Sequence, residues 1–247
     1  MSLPLPRWFA HRGGGALAPE NTLAGIRLAA RMGFAAVEFD VMQSGDGTPV
    51  LIHDETLERT TNGRGLVCET PDARLFTLDA GNGERVPRYA DAVAACREYG
   101  LLANVEIKPA TGFERQTAET VARRSSELWQ GARVPPLISS FSLEALEIAR
   151  DLAPQIPRGV LFERVPADWL STVRRLQAVT LHCAARHLSD DVLAEAQANG
   201  IAVLCYTVNT ENAAKSLFSR GVSAVFTDRL DLFVSETSAY KGLHLGG

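Results

Sequence analysis

The sequence predicts an α/β fold, a (β/α)8 TIM barrel, formed by 1–247 as a single domain with a small insertion after the second strand. Three observations predict it. Apolar extended segments centred near residues 9, 37, 104, 138, 160, 180, 203 and 225 supply eight strands. Nearly all are followed by a helical stretch, and strands that alternate with helices run parallel through right-handed crossovers. A chain of 247 residues suits one such barrel. The rival architecture, an open doubly wound sheet, lacks its G-x-G-x-x-G turn after the first strand.

The elements follow in order. Arg7 to His11 reads as a short strand ending in the turn Arg12-Gly13-Gly14-Gly15. A helix opens at Pro19-Glu20-Asn21-Thr22, where Asn21 or Thr22 can cap it, with Leu23, Ile26 and Ala30 as its apolar stripe and Gly33 as its stop. Ala35 to Val41 is the second strand, and a further extended piece runs from Thr48 to His53 after the turn Gly45-Asp46-Gly47. The pattern then lapses from Asp54 to Arg85, a stretch too long for an idle connection, which predicts a functional insertion or lid. Helices are expected over 89–99, 113–129, 142–151, 166–175, 189–199 and 212–219, and from Leu230 onward. The intervening strands are expected over 101–107, 137–140, 158–162, 178–182, 201–206 and 224–227. The small, polar tail from Ser235 to Gly247 is expected to fray.

Composition narrows the function classes. A 46% hydrophobic and 22% charged chain is an ordinary soluble one, and a net charge of −4 with no basic stripe predicts no nucleic-acid partner. No apolar run approaches the ~18 residues of a membrane span, and the first residues lack the apolar core of a signal peptide. The four cysteines are widely spaced, without C-x-x-C, and are expected reduced and mostly buried. Together these predict a cytoplasmic protein without membrane insertion; whether it is a monomer or a homodimer the sequence leaves open.

Barrel chemistry sits at the C-terminal ends of the strands. The polar residues expected there are His11 and Arg12, Glu38 and Asp40, Glu106 and Lys108, Ser139 and Ser140, His182, Tyr206 and Asp228, with His53 on the extended piece. Side chains two apart on a strand share a face, so Glu38 and Asp40 point one way while Val37, Phe39 and Val41 point the other. With Glu106 on the next strand, three carboxylates converge. Such a cluster must take up protons or hold a cation, and an all-oxygen donor set suits Mg²⁺ or Ca²⁺ rather than Zn²⁺. His11 and His53 flank it and suit proton transfer near neutral pH. Arg12 and Lys108 add the positive charge a phosphate group needs. The set describes phosphodiester cleavage better than glycosidic cleavage.

These residues stand in ordered motifs: His11-Arg12-Gly13, Pro19-Glu20-Asn21-Thr22, Glu38-Phe39-Asp40, His53-Asp54, Thr60-Thr61-Asn62-Gly63, Glu106-Ile107-Lys108, Ser139-Ser140-Phe141, Tyr206-Thr207-Val208-Asn209, and the run from Gly221 to Asp228. The chain resembles the glycerophosphodiester phosphodiesterase family, in particular its soluble bacterial members, over nearly its whole length. The resemblance implies a barrel with the insertion at 54–85 and a divalent metal at Glu38, Asp40 and Glu106. It implies His11 and His53 as the acid/base pair, with Arg12 and Lys108 at the phosphate. It implies hydrolysis of glycerophosphodiesters, such as glycerophosphocholine or glycerophosphoethanolamine, to sn-glycerol 3-phosphate and an alcohol. Two departures stand out. Tyr206 replaces the tryptophan the family usually carries, and Val86-Pro87-Arg88-Tyr89 opens a helix where the family tends to read Ile-Pro-Thr-Leu.

Competing readings exist for several residues. Glu20 and Asn21 can cap a helix or support the site. Phe141 and Tyr206 can line the substrate pocket or pack its rim. Cys183 and Cys205 read as core. The alternative functions are a lysophospholipase D-type phosphodiesterase on the same barrel, a glycosidase using paired carboxylates without a metal, and a non-catalytic phosphate-binding barrel.

Overall fold

In the computed structural model, which describes residues 5–233, eight parallel strands run in a closed ring. They are β1 (Trp8–Ala10), β2 (Ala36–Gln43), β4 (Leu102–Ile107), β5 (Leu137–Ser140), β6 (Arg158–Phe162), β7 (Thr180–Ala184), β8 (Ala202–Tyr206) and β9 (Ala224–Thr227). The order is β1-β9-β8-β7-β6-β5-β4-β2, and the pairing of Ala10 with Val37 joins β1 to β2 and closes the barrel. A ninth strand, β3 (Pro49–Leu51), pairs antiparallel with the outer end of β2. The helices are α1 (Leu23–Arg31), α2 (Asp72–Leu75), α3 (Tyr89–Tyr99), α4 (Glu114–Leu128), α5 (Leu143–Leu152), α6 (Trp169–Arg175), α7 (Asp190–Ala198) and α8 (Glu211–Arg220). Residues 230–233 are helical, where the last helix is expected; the rest of that expected helix and the expected frayed tail lie outside the described residues.

The eight barrel strands are those the sequence predicts, with one shift. β7 starts two residues later than expected. Gln177 takes a left-handed φ of 51°, and the Ala178 amide bonds back to Val173, so this stretch still belongs to the exit of α6. His182 therefore stands inside the strand, not at its end.

Apolar side chains fill both sides of the sheet. Phe9, Leu102, Leu137, Leu204 and Phe226 plug the barrel interior below the polar end. Val37, Phe39 and Val41 face outward against the helical layer, as the two-residue period requires. All four cysteines are free and buried. Each fully buried Leu or Phe contributes about 1.5–3 kcal/mol, and this shell sets the strand ends rigidly.

The insertion has a small core of its own. Leu57, Val67 and Leu75 pack on Met42, Val50 and Ile52 from the outer ends of β2 and β3. From the turn between β2 and β3, the Ser44 and Thr48 hydroxyls donate to the Asp72 carboxylate of the insertion at 2.5 and 2.6 Å. The segment is thus seated on the barrel mouth by apolar burial and by a polar clamp.

Candidate active site

Glu38 and Asp40 point into the barrel from β2, and Asp40 pairs in register with Glu106 on β4. All three are buried, and their carboxylate oxygens lie within 4.8 Å of one another. Neutralisation by the protein is partial. Lys108 Nζ stands 3.6 Å from both Asp40 and Glu106, and Arg12 Nε stands 3.8 Å from Asp40. The Arg12 amide donates to Glu38 at 2.9 Å. Burial, then the charge of Asp40, pushes the Glu38 carboxyl up to about 7. The same two causes raise Glu106 well above the carboxylate range. Asp40 goes the other way: burial opposes its charge, but Lys108, His53 and Arg12 outweigh that and lower it. A buried, all-oxygen, anionic trio short of positive charge fits a hard divalent cation, and no nitrogen or sulfur donor belongs to it to favour Zn²⁺.

Each histidine is gripped at Nδ1 by a carboxylate. His11 Nδ1 lies 2.6 Å from Asp228 Oδ1, and His53 Nδ1 lies 2.6 Å from Asp54 Oδ1. These bonds place the proton on Nδ1 and leave Nε2 toward the cavity. There the two differ. His11 Nε2 faces Glu38 at 3.8 Å, whereas His53 Nε2 accepts from Lys108 Nζ at 2.7 Å. Burial disfavours charge on His11, but the Asp228 hydrogen bond and the charges of Glu38 and Asp228 raise its pKa overall. Burial dominates at His53 and lowers it, with Lys108 and Arg12 adding to the effect against Asp40 and Asp54.

The loop after β1 has the strain expected of a functional turn. Arg12 takes a φ of 49°, unusual for a side-chain-bearing residue. This turn lets its amide reach Glu38. Arg12 Nε, itself buried, makes no hydrogen bond among the described residues. Gly15, at a φ of 55°, lies against the Asp228 carbonyl, where a Cβ would collide. That close approach brings His11 onto Asp228, which Asn209 holds from the other side at 2.9 Å.

These groups open on one cavity of about 280 Å³. Phe141 and Tyr206 form one wall, ring edge to ring face at 6.0 Å, and the Tyr206 hydroxyl donates to the Phe162 carbonyl at 2.9 Å. Asn104, His182 and Phe226 lie at its floor. Burial holds the His182 pKa to about 3, so this ring is neutral, and Thr180 Oγ1 sits 2.8 Å from its Nε2.

His11, Arg12, Glu38, Asp40, His53, Glu106, Lys108, Phe141 and Tyr206, all expected at the site, line this cavity. Ser139 and Ser140, also expected at the strand ends, are instead bonded to Asn104 and to the Ile107 carbonyl. Other contributors carry weaker signals. Asn21 does not cap α1, which Thr22 does. Its amide instead donates to Asp40 at 2.9 Å and accepts from the Asp40 backbone at 3.1 Å. Glu20 pairs with Arg12 at 3.0 Å. Asp228 stands just after β9, at the strand end where the sequence places it, and Asp54 follows His53 in its motif; what the sequence does not assign is their grip on the histidines. Arg59 sits in the insertion, directly before the Thr60-Thr61-Asn62-Gly63 motif but not part of it.

The barrel and its site define a class: a (β/α)8 enzyme that cleaves a phosphoric diester. Comparison with known proteins narrows it. The family model of the glycerophosphoryl diester phosphodiesterase family matches residues 11–232. A glycerophosphodiester phosphodiesterase of Caldanaerobacter subterraneus is 30% identical over 227 residues, covering 89% of this chain and 93% of the relative. An Oleispira antarctica phosphodiesterase, solved with the product sn-glycerol-3-phosphate, superposes with a TM-score of 0.88 at 37% identity, covering 94% of this chain and 96% of that one. A glycerophosphodiester phosphodiesterase from Agrobacterium tumefaciens superposes at 0.78 with 26% identity, over 94% of this chain and 100% of that one. The chain belongs to the glycerophosphodiester phosphodiesterase family and is a phosphoric diester hydrolase of that class. Among the described residues no helix is long and apolar enough to cross a membrane.

Proposed function

We propose that this enzyme hydrolyses glycerophosphodiesters such as glycerophosphocholine and glycerophosphoethanolamine, releasing sn-glycerol 3-phosphate and an alcohol. Glu38, Asp40 and Glu106 hold a divalent cation, Mg²⁺ or Ca²⁺. The observation that carries the reading is the buried carboxylate trio sharing one cavity with two carboxylate-gripped histidines and two cationic side chains. The product bound in the Oleispira antarctica relative supports the glycerol 3-phosphate side of the substrate.

The cation, when bound, supplies fixed positive charge against the phosphate oxygens as their negative charge grows. Arg12 and Lys108 bind the non-bridging oxygens, which gives the unpartnered Arg12 Nε an acceptor. When Lys108 turns to phosphate it releases the Nε2 lone pair of His53. That ring, whose Nδ1 proton is donated to Asp54, takes the proton of the attacking hydroxyl. Attack by water gives sn-glycerol 3-phosphate directly, whereas attack by a glycerol hydroxyl closes a cyclic phosphate that water then opens to the same product. His11, which leans toward the protonated form beside Glu38 and Asp228, gives a proton to the departing oxygen. Phe141 and Tyr206 close the side of the cavity against an apolar part of the substrate.

A side-by-side assay tests this. Wild-type protein, with the cation, is given glycerophosphocholine and lysophosphatidylcholine, and sn-glycerol 3-phosphate and free choline are measured. Turnover is expected on the first. His11→Ala and His53→Ala are expected to lose about 10²–10⁴-fold in kcat while remaining folded. Preference for the lysophospholipid would replace the substrate assignment, and wild-type turnover in either variant would end the acid/base one.

A further inference from the structure

Arg59 lies in the insertion, two residues after Leu57 of its core, with a side chain 46% exposed. Its guanidinium joins two active-site loops. Nη1 and Nη2 donate to Glu20 Oε2 and Oε1 at 2.7 and 2.8 Å. Nε and Nη2 donate to Asp54 Oδ2 and Oδ1 at 2.5 and 3.0 Å. Each carboxylate hands the contact on. Asp54 Oδ1 is the atom 2.6 Å from His53 Nδ1, and Glu20 Oε1 is the atom that accepts from Arg12 Nη1. One planar fork therefore stands behind both the histidine that accepts a proton and the arginine that meets phosphate.

We propose that Arg59 is a positioning residue for this reaction, fixing His53 through Asp54 and Arg12 through Glu20. The inference rests on the roles given to His53 and Arg12 above. Only arginine has the donors to grip two carboxylates at once in fixed directions; lysine offers a point charge. The Arg59 hydrogen bond, more than any other influence, keeps Asp54 far below the usual carboxylate range, so Asp54 stays an acceptor for His53. Burial would raise Glu20, but Arg59 and then Arg12 hold it down. Without Arg59, Glu20 has one cationic partner left, Arg12, and draws it away from phosphate. Asp54 becomes free to turn from His53. The insertion is thereby a working part of the site.

The two arms separate in kinetics. With saturating cation and glycerophosphocholine, Arg59→Gln is expected to lower kcat about tenfold or more, a part of what general-base catalysis contributes, and to raise KM. Asp54→Asn reproduces the kcat loss, and Arg59→Gln adds little to it in the double variant. Glu20→Gln moves KM. Arg59→Lys restores charge without the fork and recovers only part of the loss. A second readout is the His53 Nδ1 proton resonance, expected far downfield in the wild type from its 2.6 Å contact with Asp54 and expected to shift upfield in Arg59→Gln. With a side chain 46% exposed, Arg59→Gln is expected to fold; were it to misfold, Arg59→Lys carries the same comparison. Wild-type kcat and KM with an unmoved His53 resonance overturn the proposal. Wild-type turnover in His53→Ala would instead overturn the acid/base reading, whatever Arg59 does to the resonance.

Discussion

His11 and His53 share a cavity and a binding mode, each gripped at Nδ1, yet what stands at Nε2 drives them apart. A carboxylate faces one and an ammonium the other. Residue-scale charge also governs the trio. Glu38 has an ordinary value of 4.5 and stands at about 7 in the fold, through burial and then Asp40. A raised carboxyl stabilises the fold fully below its ordinary value and loses that contribution as pH rises through the folded value. With chelator present, the melting temperature is therefore expected to fall between roughly pH 4.5 and 7. Glu38→Gln should flatten the slope, and a slope unchanged by that substitution would contradict the assignment. The trio itself was legible in the sequence, because strand period two puts Glu38 and Asp40 on one face and the next strand adds Glu106. Arg59 was not, because its partners Glu20 and Asp54 lie 39 and 5 residues away and meet only through the fold. His182 was misplaced by two residues of strand register. The left-handed turn at Gln177 that delays β7 falls on a residue type with no strong preference for it.

At the scale of elements, β2 does two jobs. Residues 36–41 pair with β4 and carry the acids; residues 41–43, at its outer end, pair with β3 and found the insertion core. The regular strands and helices were readable from apolar periodicity, since each faces one layer of core. The insertion was not, because its 3-10 turn and four-residue helix are too short for periodicity to register. What holds it is burial of a few residues. Leu57 is fully buried there, so Leu57→Ala is expected to cost about 2–5 kcal/mol in urea unfolding. A loss below about 1 kcal/mol would mean that the insertion is not anchored as described.

For the whole molecule, closure is the decisive event. Residues from β1, β2, β4, β8 and the loops around them, spread from His11 to Asp228, meet only because Ala10 pairs with Val37 and seals the ring. The barrel plug below and the helical layer outside hold three acids together against their repulsion, which is the arrangement a cation would relieve. The most direct test is release of sn-glycerol 3-phosphate from glycerophosphocholine by protein stripped with EDTA, before and after Mg²⁺ or Ca²⁺ is returned. The expected result is no turnover in EDTA and restoration by one of the cations in the wild type but not in Asp40→Asn. Full turnover in EDTA would contradict a cation seat at Glu38, Asp40 and Glu106.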